Sequence, residues 1–326
     1  MQIATNYRFY IKINLLTIAA DLGKFEILTK NSDDRKIIAI IIHRFKEFCM
    51  DKFYYGLVLG LSVFLSIPIS TVNAAELIFT APPREKPAAG KKIYDPIAQH
   101  ISKLLNAKVV YKHPGNWLNY QREMRDGKYD IVFDGPHFAS WRMTHINHDM
   151  VAKLPGKLGF MLVKKKDNTS VNTLNDLIGR RICGISMPNL STLSILSAYP
   201  NPVRQPVIVG VSGGMKGVAK ALAKDRCDAY VFRDKFFAKK LKPEVKQNLQ
   251  VIYKSKPLPN QVISAGQRLT PAQKKAIAHS LSVGKGVATT AGLRKRFAAK
   301  ARSLLSANNA EYKGHNRLLE GVIFGW

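Results

Sequence analysis

The stretch that decides the fold is RRICGISMPNLSTLSILSAY, residues 180–199. Its apolar run Ile182–Ile185 predicts a β-strand, which ends in a turn with proline and asparagine before Ser191 and Thr192 open a helical pattern. The first N–H groups of a helix lack intrahelical partners and the helix dipole favours negative charge there, so a strand leading straight into a helix forms a candidate anion site. An ordinary N-terminal cap is the alternative explanation for the two hydroxyls.

The same strand–turn–helix unit occurs six times between Glu76 and Leu241. The six strand-and-turn segments are ELIFTAPPREKP, AKVVYKHPGNW, YDIVFDGPHF, RRICGISMPNL, PVIVGVSGG and CDAYVFRD. Strands that alternate with helices of about 8–15 residues indicate α/β sheets with parallel strands. Two sets of three units predict two similar lobes.

Two segments that interrupt the repeat indicate where the chain passes between lobes. We place these crossings near Val163–Lys166 and near Tyr253–Leu258. The expected fold is therefore α/β and two-lobed, with a mostly parallel sheet flanked by helices in each lobe and two hinge crossings. Lobe one is expected to comprise 75–164 plus 258–326, and lobe two 168–253.

The segment MDKFYYGLVLGLSVFLSIPISTVNAAE, which begins at Met50, has the pattern of a secretory signal peptide. A short basic start precedes the apolar run Tyr54–Ile69, and small residues follow, so cleavage is expected between Ala74 and Ala75. A membrane anchor is the alternative, but the run is broken by a proline and is short for a span of about 20 residues. Residues 1–49 are then either a long leader or an upstream-start artefact, and 1–74 is left out of the fold.

The charge balance points to an anionic partner. The chain carries 51 Lys and Arg against 22 Asp and Glu; nine of these basic and six of these acidic residues lie in 1–74, so 75–326 keeps a formal net charge of +26. An exported protein meets no cytoplasmic nucleic acid, and its lysines are spread along the chain, so no nucleic-acid partner is expected. The charge fits solubility, attraction to an anionic membrane surface or steering of a small anion.

Three stretches together resemble a known family: YDIVFDGP, DLIGRRICGISMPNLSTLSIL and AKDRCDAYVFRD. They are similar to type 2 periplasmic substrate-binding proteins of ABC importers, most specifically to the phosphate-, phosphite- and phosphonate-binding branch. The P-N-x-S-T of residues 188–192 lies where that branch has a proline followed by a Ser-Thr-Ser loop that grips phosphonate. Leu190 replaces one hydroxyl of that loop, so we expect a site that is more apolar on one side and a ligand that is an organic anion.

The resemblance implies a two-lobed, hinge-closing binder in the periplasm that delivers an oxyanion to an ABC permease and performs no chemistry. A monomer without cofactor is expected. Two other classes stay open: a sensor module that presents a bound anion to a membrane receptor, and an exported enzyme. The sequence has no G-x-S-x-G nucleophile elbow and no paired-carboxylate motif. His145 and His148 lack the further ligands of a metal motif, so neither catalytic residues nor a metal site are expected.

Polar residues at the six turns are the candidate ligand contacts, because ligands of such sheets bind outside the carboxyl ends of the strands. The candidates are Ser191 and Thr192 as donors, Arg84 and Arg233 for bidentate contact, His137 as a donor, Asp134 as an acceptor from a protonated ligand oxygen, Trp117 as a wall or stacking ring, and Tyr94 through its hydroxyl. Each candidate also has a purely structural explanation: a helix cap, an aromatic ring in the core, a histidine hydrogen-bonded within the protein, or an arginine exposed to solvent.

Cys183 and Cys227 are predicted to form a disulfide. They lie on the first and third strand-like runs of lobe two, which are neighbours in a doubly wound sheet. Export supplies an oxidising compartment. Two buried free thiols are the alternative, since cysteine also packs as a small apolar residue.

Overall fold

Residues 76–321 of the 326 are described by the computed structural model. The predicted signal peptide, its cleavage point and residues 1–49 lie outside the described residues. The strands are β1 Leu77–Thr80, β2 Val109–Tyr111, β3 Ile131–Asp134, β4 Asp149–Lys153, β5 Lys157–Leu158, β6 Phe160–Lys165, β7 Arg181–Ile185, β8 Val207–Val211, β9 Ala229–Arg233, β10 Leu249–Lys254, β11 Leu258–Pro259, β12 Val262–Ala265 and β13 Leu305–Ser306.

Helices follow the strands as the repeat predicts. The α-helices are α1 Pro87–Leu105, α2 Trp117–Arg125, α3 Pro136–Ile146, α4 Leu190–Leu196, α5 Gly214–Ala223, α6 Asp234–Lys240, α7 Pro243–Lys246, α8 Pro271–Ser282, α9 Ala291–Phe297 and α10 Arg317–Glu320. Short 3-10 helices lie at Asn175–Leu177, Lys285–Thr290 and Asn309–Tyr312. Thr270 and Gln273 form a capping box at the start of α8, the signature that Thr-Pro-x-Gln indicates.

Two main sheets carry the fold, and each contains a parallel trio built by one set of three units. The strand orders are β13-β4-β12-β3-β1-β2 and β10-β6-β9-β7-β8. In the first sheet β1 lies parallel between β2 and β3, and in the second β7 lies parallel between β8 and β9. The third strand of each trio pairs antiparallel with a strand from elsewhere in the chain, β12 or β6. The sheets are therefore mixed α/β sheets, with parallel pairing confined to the trios.

The two passages between the sheets run side by side. β5 and β11 form an antiparallel two-stranded ribbon in which Leu158 pairs with Leu258. β6 already belongs to the second sheet, where it pairs with β9 and β10. The first passage therefore comes before Phe160, earlier than the expected crossing at Val163–Lys166, because that apolar run is a buried strand of the second sheet. The second passage follows β10, within the expected Tyr253–Leu258.

One apolar cluster contains side chains from helices that lie beside both sheets. It includes Tyr120, Phe138 and Trp141 of α2 and α3, Leu193 of α4, and Leu319 of α10. All five side chains are buried. Helix α10 thus contacts both α3 and α4, one helix beside each sheet.

The disulfide prediction is confirmed: Cys183 of β7 is bonded to Cys227, which lies just before β9. Their Cα atoms are 5.7 Å apart, within the range of about 4.4–6.8 Å that a disulfide needs. The geometry follows from the strand order, since β7 and β9 are parallel neighbours.

A buried ion pair holds α3 against the first sheet. The guanidinium of Arg142 donates to both carboxylate oxygens of Asp134 at 2.7 and 2.8 Å, and both side chains are completely buried. The Tyr120 hydroxyl donates to the same carboxylate, and Arg142 also donates to Ser264 Oγ of β12 at 3.1 Å. Buried charges are tolerated when they are paired and their remaining hydrogen bonds are made, as they are here.

We expect Asp134→Asn to lower the free energy of unfolding by about 3–5 kcal/mol, because it leaves the buried Arg142 charge uncompensated. Urea denaturation of the ligand-free protein measures this. The matched control is Glu76→Gln, whose partner Lys108 is largely exposed, so that the loss is at most about 1 kcal/mol. Equal losses in the two variants would contradict the importance of the buried pair.

Opening the disulfide should lower the free energy of unfolding by about 4 kcal/mol, because the bond spans 44 residues and restricts the unfolded chain. Urea denaturation with and without reductant measures the effect. The double variant Cys183→Ala, Cys227→Ala is the control, since reductant has nothing to act on there. Two reactive thiols in residues 75–326 after denaturation without reductant would refute the bond.

Candidate ligand site at the strand–helix turns

The turn before α3 and the turn before α4 touch each other. His137, the second residue of α3, places Nε2 3.2 Å from the carbonyl oxygen of Pro188. A Cβ built on Gly135 would stand 4.0 Å from the side chain of Leu190, the first residue of α4. The carboxyl ends of β3 and β7 therefore meet at these two turns.

His137 is a buried, neutral histidine. Its side chain is 2 % exposed, and burial, followed by the charge of Arg84, lowers its pKa to about 3. A carbonyl oxygen only accepts hydrogen bonds, so Nε2 carries the proton and donates to Pro188, which leaves Nδ1 as an acceptor. Nδ1 is buried and has no hydrogen-bond partner. The donor role expected for His137 is thus taken up by Pro188, and the free atom of the ring is an acceptor.

Arg84 lies in the turn between β1 and α1 with an unused donor. Its Nη1 atom is buried and has no hydrogen-bond partner. Its guanidinium carbon is 5.8 Å from the centre of the Phe297 ring, a cation–π contact that holds one side of the group. The positive charge of Arg84 acts to lower the pKa of both His137 and Tyr94, so both side chains lie within electrostatic range of Arg84.

Tyr94 of α1 is a core aromatic whose hydroxyl is unsatisfied. The ring is fully buried and packs on Tyr111 and Phe79, with centroids 5.0 and 6.0 Å away. Burial, followed by the nearby Glu85 charge, raises the pKa of Tyr94 well above its ordinary value, so the hydroxyl stays protonated. The packing role given as the alternative therefore holds for the ring, while the hydroxyl remains available to a ligand.

Unsatisfied polar atoms concentrate around the first strand–helix turn. Among the described residues, four of the nine buried side-chain polar atoms without a partner belong to this region, and a fifth lies on His137 at the turn before α3, where the Arg84 charge reaches it. The five atoms are Arg84 Nη1, Glu85 Oε2, Tyr94 Oη, Tyr111 Oη and His137 Nδ1. Buried polar groups nearly always find a partner in a native protein, so such a cluster is what a site looks like when its ligand supplies the partners.

Ser191 and Thr192 already have partners within the protein. The side chain of Asn189 caps α4 by accepting from the backbone N–H of Ser191 at 3.0 Å and from its hydroxyl at 2.7 Å. The Thr192 hydroxyl donates to the carbonyl oxygen of Ile185 at 2.6 Å. Both residues are fully buried. The helix cap is made by Asn189, and a ligand would have to recruit the two hydroxyls from these bonds.

Arg233 ends β9 beside the passage between the sheets. Its Nε is buried without a partner, and burial lowers the pKa of its guanidinium. The next residue, Asp234, donates its backbone N–H to the carbonyl of Gly159 at 3.0 Å and leaves Oδ1 unpartnered. The nearest charge that acts on the Arg233 guanidinium is that of Asp234.

Trp117 and Asp134 contact other side chains of the protein next to the site. Trp117 is half-buried at the start of α2 and stacks on Phe138 with ring centroids 6.1 Å apart. Asp134 uses both carboxylate oxygens for Arg142 and Tyr120. The acceptor role expected for Asp134 is therefore corrected: its lone pairs serve the ion pair that fixes α3.

Sequence reasoning missed two groups of this site, Glu85 and Tyr111. Glu85 accepts from Arg296 Nε at 3.0 Å with one oxygen and leaves the other unpartnered. The position of Glu85 directly after Arg84 in the first turn is a sequence signal that it lies near the site. No residue near Tyr111 in the sequence indicates that its hydroxyl lacks a hydrogen-bond partner. Among residues 76–321 no three His, Cys, Asp or Glu side chains are grouped to hold a metal ion, and no helix has the length and apolar character to span a membrane.

Comparisons with solved structures show the fold. XAC2383 from Xanthomonas citri bound to ATP has a TM-score of 0.59 at 12% identity and covers 76% of this chain and 96% of that chain. PhnD1 from Prochlorococcus marinus (MIT 9301) in complex with methylphosphonate has a TM-score of 0.54 at 17% identity and covers 76% and 97%. A binding protein component of an ABC phosphonate transporter from Pseudomonas aeruginosa has a TM-score of 0.50 at 16% identity and covers 73% and 83%.

The family follows from the sequence comparison. No curated protein matches the chain. A model of the periplasmic substrate-binding protein of phosphonate ABC transporters matches residues 79–296, which is more than half of the chain. The α/β fold with two sheets, the strand–turn–helix repeat and this match agree, and the chain belongs to the phosphonate-binding family of periplasmic substrate-binding proteins of ABC transporters.

Proposed function

We propose that this protein captures a small oxyanion, such as phosphate, a phosphonate or a related organic anion, between its lobes and delivers it to an ABC permease. In this proposal the first passage between the lobes precedes Phe160, because β6 pairs within the second sheet. This moves the boundary from the expected lobes of 75–164 plus 258–326 and 168–253, so that β6 belongs to lobe two. The observation that carries it is the group of buried, unpartnered polar atoms on Arg84, Tyr94 and His137 beside the contact of the two turns.

Arg84 selects for a negatively charged ligand. A buried guanidinium donor without a partner is costly, and an oxyanion relieves this cost through short charge-assisted hydrogen bonds. The Tyr94 hydroxyl is a second donor that stays protonated. The overall formal charge of +26 in residues 75–326 adds a field that attracts anions to the site.

The facing turn completes the proposed site. Ser191 and Thr192 donate to the ligand from the start of α4 when lobe closure brings it against them, and Arg233 adds charge from the end of β9. Leu190 and Trp117 make part of the wall apolar, which suits an organic substituent on the anion. Because one ligand touches both lobes, binding and closure are coupled.

Export and transport are the cellular part of the proposal. The family is periplasmic, and the segment before Ala75 has the signal-peptide pattern, so we propose cleavage between Ala74 and Ala75 and a monomeric mature protein. A thermal-shift screen of phosphate, methylphosphonate, sulfate and small organic acids tests the ligand class, because a ligand that binds only the folded state raises the melting temperature. No shift with any oxyanion would contradict the proposal.

We expect Arg84→Met to weaken oxyanion binding by tenfold or more, because a buried hydrogen bond to a charged group contributes about 1.5–3 kcal/mol. Isothermal titration calorimetry with methylphosphonate measures the affinity. Arg226→Met is the matched control: it removes the same charge from the protein at an exposed position away from the turns, so the affinity should stay within about twofold. Equal losses in both variants would mean that only the general field of the protein matters.

The double variant Ser191→Ala, Thr192→Val should weaken the same binding at least tenfold by removing two donors. It should also lower the ligand-free free energy of unfolding by about 1–3 kcal/mol, since the two hydroxyls have partners in Asn189 and Ile185. Ser197→Ala, which removes a hydroxyl at the other end of α4, is the control for affinity. Unchanged affinity of the double variant would show that these hydroxyls serve only the local structure.

A further inference from the structure

His137 offers a ligand a lone pair and no hydrogen. Its Nε2 hydrogen is committed to the Pro188 carbonyl at 3.2 Å, and its Nδ1 is buried and unpartnered. Reversing the tautomer would point two lone pairs at each other across the contact with Pro188, which makes the observed pairing the stable one. A ligand beside Nδ1 is therefore met by an acceptor.

Protonation of the whole ring would convert Nδ1 into a donor, but the surroundings oppose it. The charged or titratable groups that act on His137 are Arg84 from the turn after β1, Arg142 from α3 and His315 from the segment before α10, and each disfavours a positive ring. The ring also packs on Phe138 with centroids 4.1 Å apart. The nearest carboxylate along the chain, Asp134, is already paired with Arg142.

From this we propose that the ligand is an oxyanion that still carries a proton: a singly charged hydrogen phosphonate or dihydrogen phosphate whose O–H donates to His137 Nδ1 while a charged oxygen accepts from Arg84 Nη1. This inference rests on the proposed oxyanion site and adds the protonation state of its ligand. His137 takes the acceptor role that Asp134 is unable to fill.

A site with a buried acceptor distinguishes ligands that share size and charge but differ in whether they carry an O–H. Methanesulfonate and the methylphosphonate monoanion have the same shape and a single negative charge, but methanesulfonate has no O–H. A site built around a buried acceptor rejects an analogue that lacks the matching hydrogen, because the acceptor and the ligand oxygen then face each other unpaired. We expect methanesulfonate to bind about 100-fold more weakly or worse.

The expected pH dependence follows from the titration of the ligand. Above the second pKa of methylphosphonate the bindable monoanion falls tenfold for each pH unit, so the apparent affinity should fall by the same factor. Below that pKa the affinity should be flat as long as His137 stays neutral. Isothermal titration calorimetry with methylphosphonate and methanesulfonate across this pH range is the test.

Two variants of His137 test whether its ring causes the preference for methylphosphonate and the pH dependence of the affinity. His137→Asn places an amide, which donates as well as accepts, near the position of Nδ1, so the preference for methylphosphonate over methanesulfonate should shrink to about tenfold or less and the fall in affinity with pH should weaken. His137→Phe keeps a ring against Phe138 and removes the acceptor, and should abolish the preference. Circular dichroism confirms that each variant is folded.

The outcomes separate this inference from the proposed function. Methylphosphonate binding with the pH dependence above, and weak methanesulfonate binding, supports both. Methanesulfonate binding as tightly as methylphosphonate, or affinity that rises as the phosphonate loses its second proton, overturns the inference. The oxyanion site itself stands in that case if Arg84→Met still weakens binding tenfold or more. Absence of binding by every oxyanion at every pH overturns both.

Discussion

The buried pair between Asp134 and Arg142 is the interaction on which the candidate site depends. Asp134 closes β3, Arg142 lies in α3, and His137 lies between them in the sequence. Because the pair also binds Tyr120 and Ser264, it fixes the start of α3 against α2 and β12 at once. His137 is therefore presented to the β7–α4 turn by a rigid support, as a binding group must be if its orientation is to select a ligand.

The same pair decides the charge of the site. With Asp134 paired to Arg142 and Glu85 in contact with Arg296, the carboxylates near the first turn are each held by a guanidinium. Arg84 keeps an unused donor, so an incoming anion meets a net positive charge.

Features set by local pattern could be predicted from the sequence, and features set by distant partners could not. The repeat predicts β1–β3 and β7–β9 with the helices after them, and strand order is enough to pair Cys183 with Cys227. The partners of the Asp134 and Ser191 side chains are invisible in the sequence, since they depend on where Arg142 and Asn189 point. The crossing before β6 lies earlier in the chain than the sequence pattern predicts, because an apolar strand has the same pattern on either side of a hinge.

The ribbon of β5 and β11 limits how the two sheets move relative to each other. A single connecting chain would permit bending, torsion and sliding in any combination. Two connections joined by the pairing of Leu158 with Leu258 resist torsion and sliding, because either motion would break the backbone hydrogen bonds between them. What remains easy is one rotation about an axis across the ribbon. A rotation of this kind keeps the turns before α3 and α4 facing each other, because it leaves the order of the two connections unchanged.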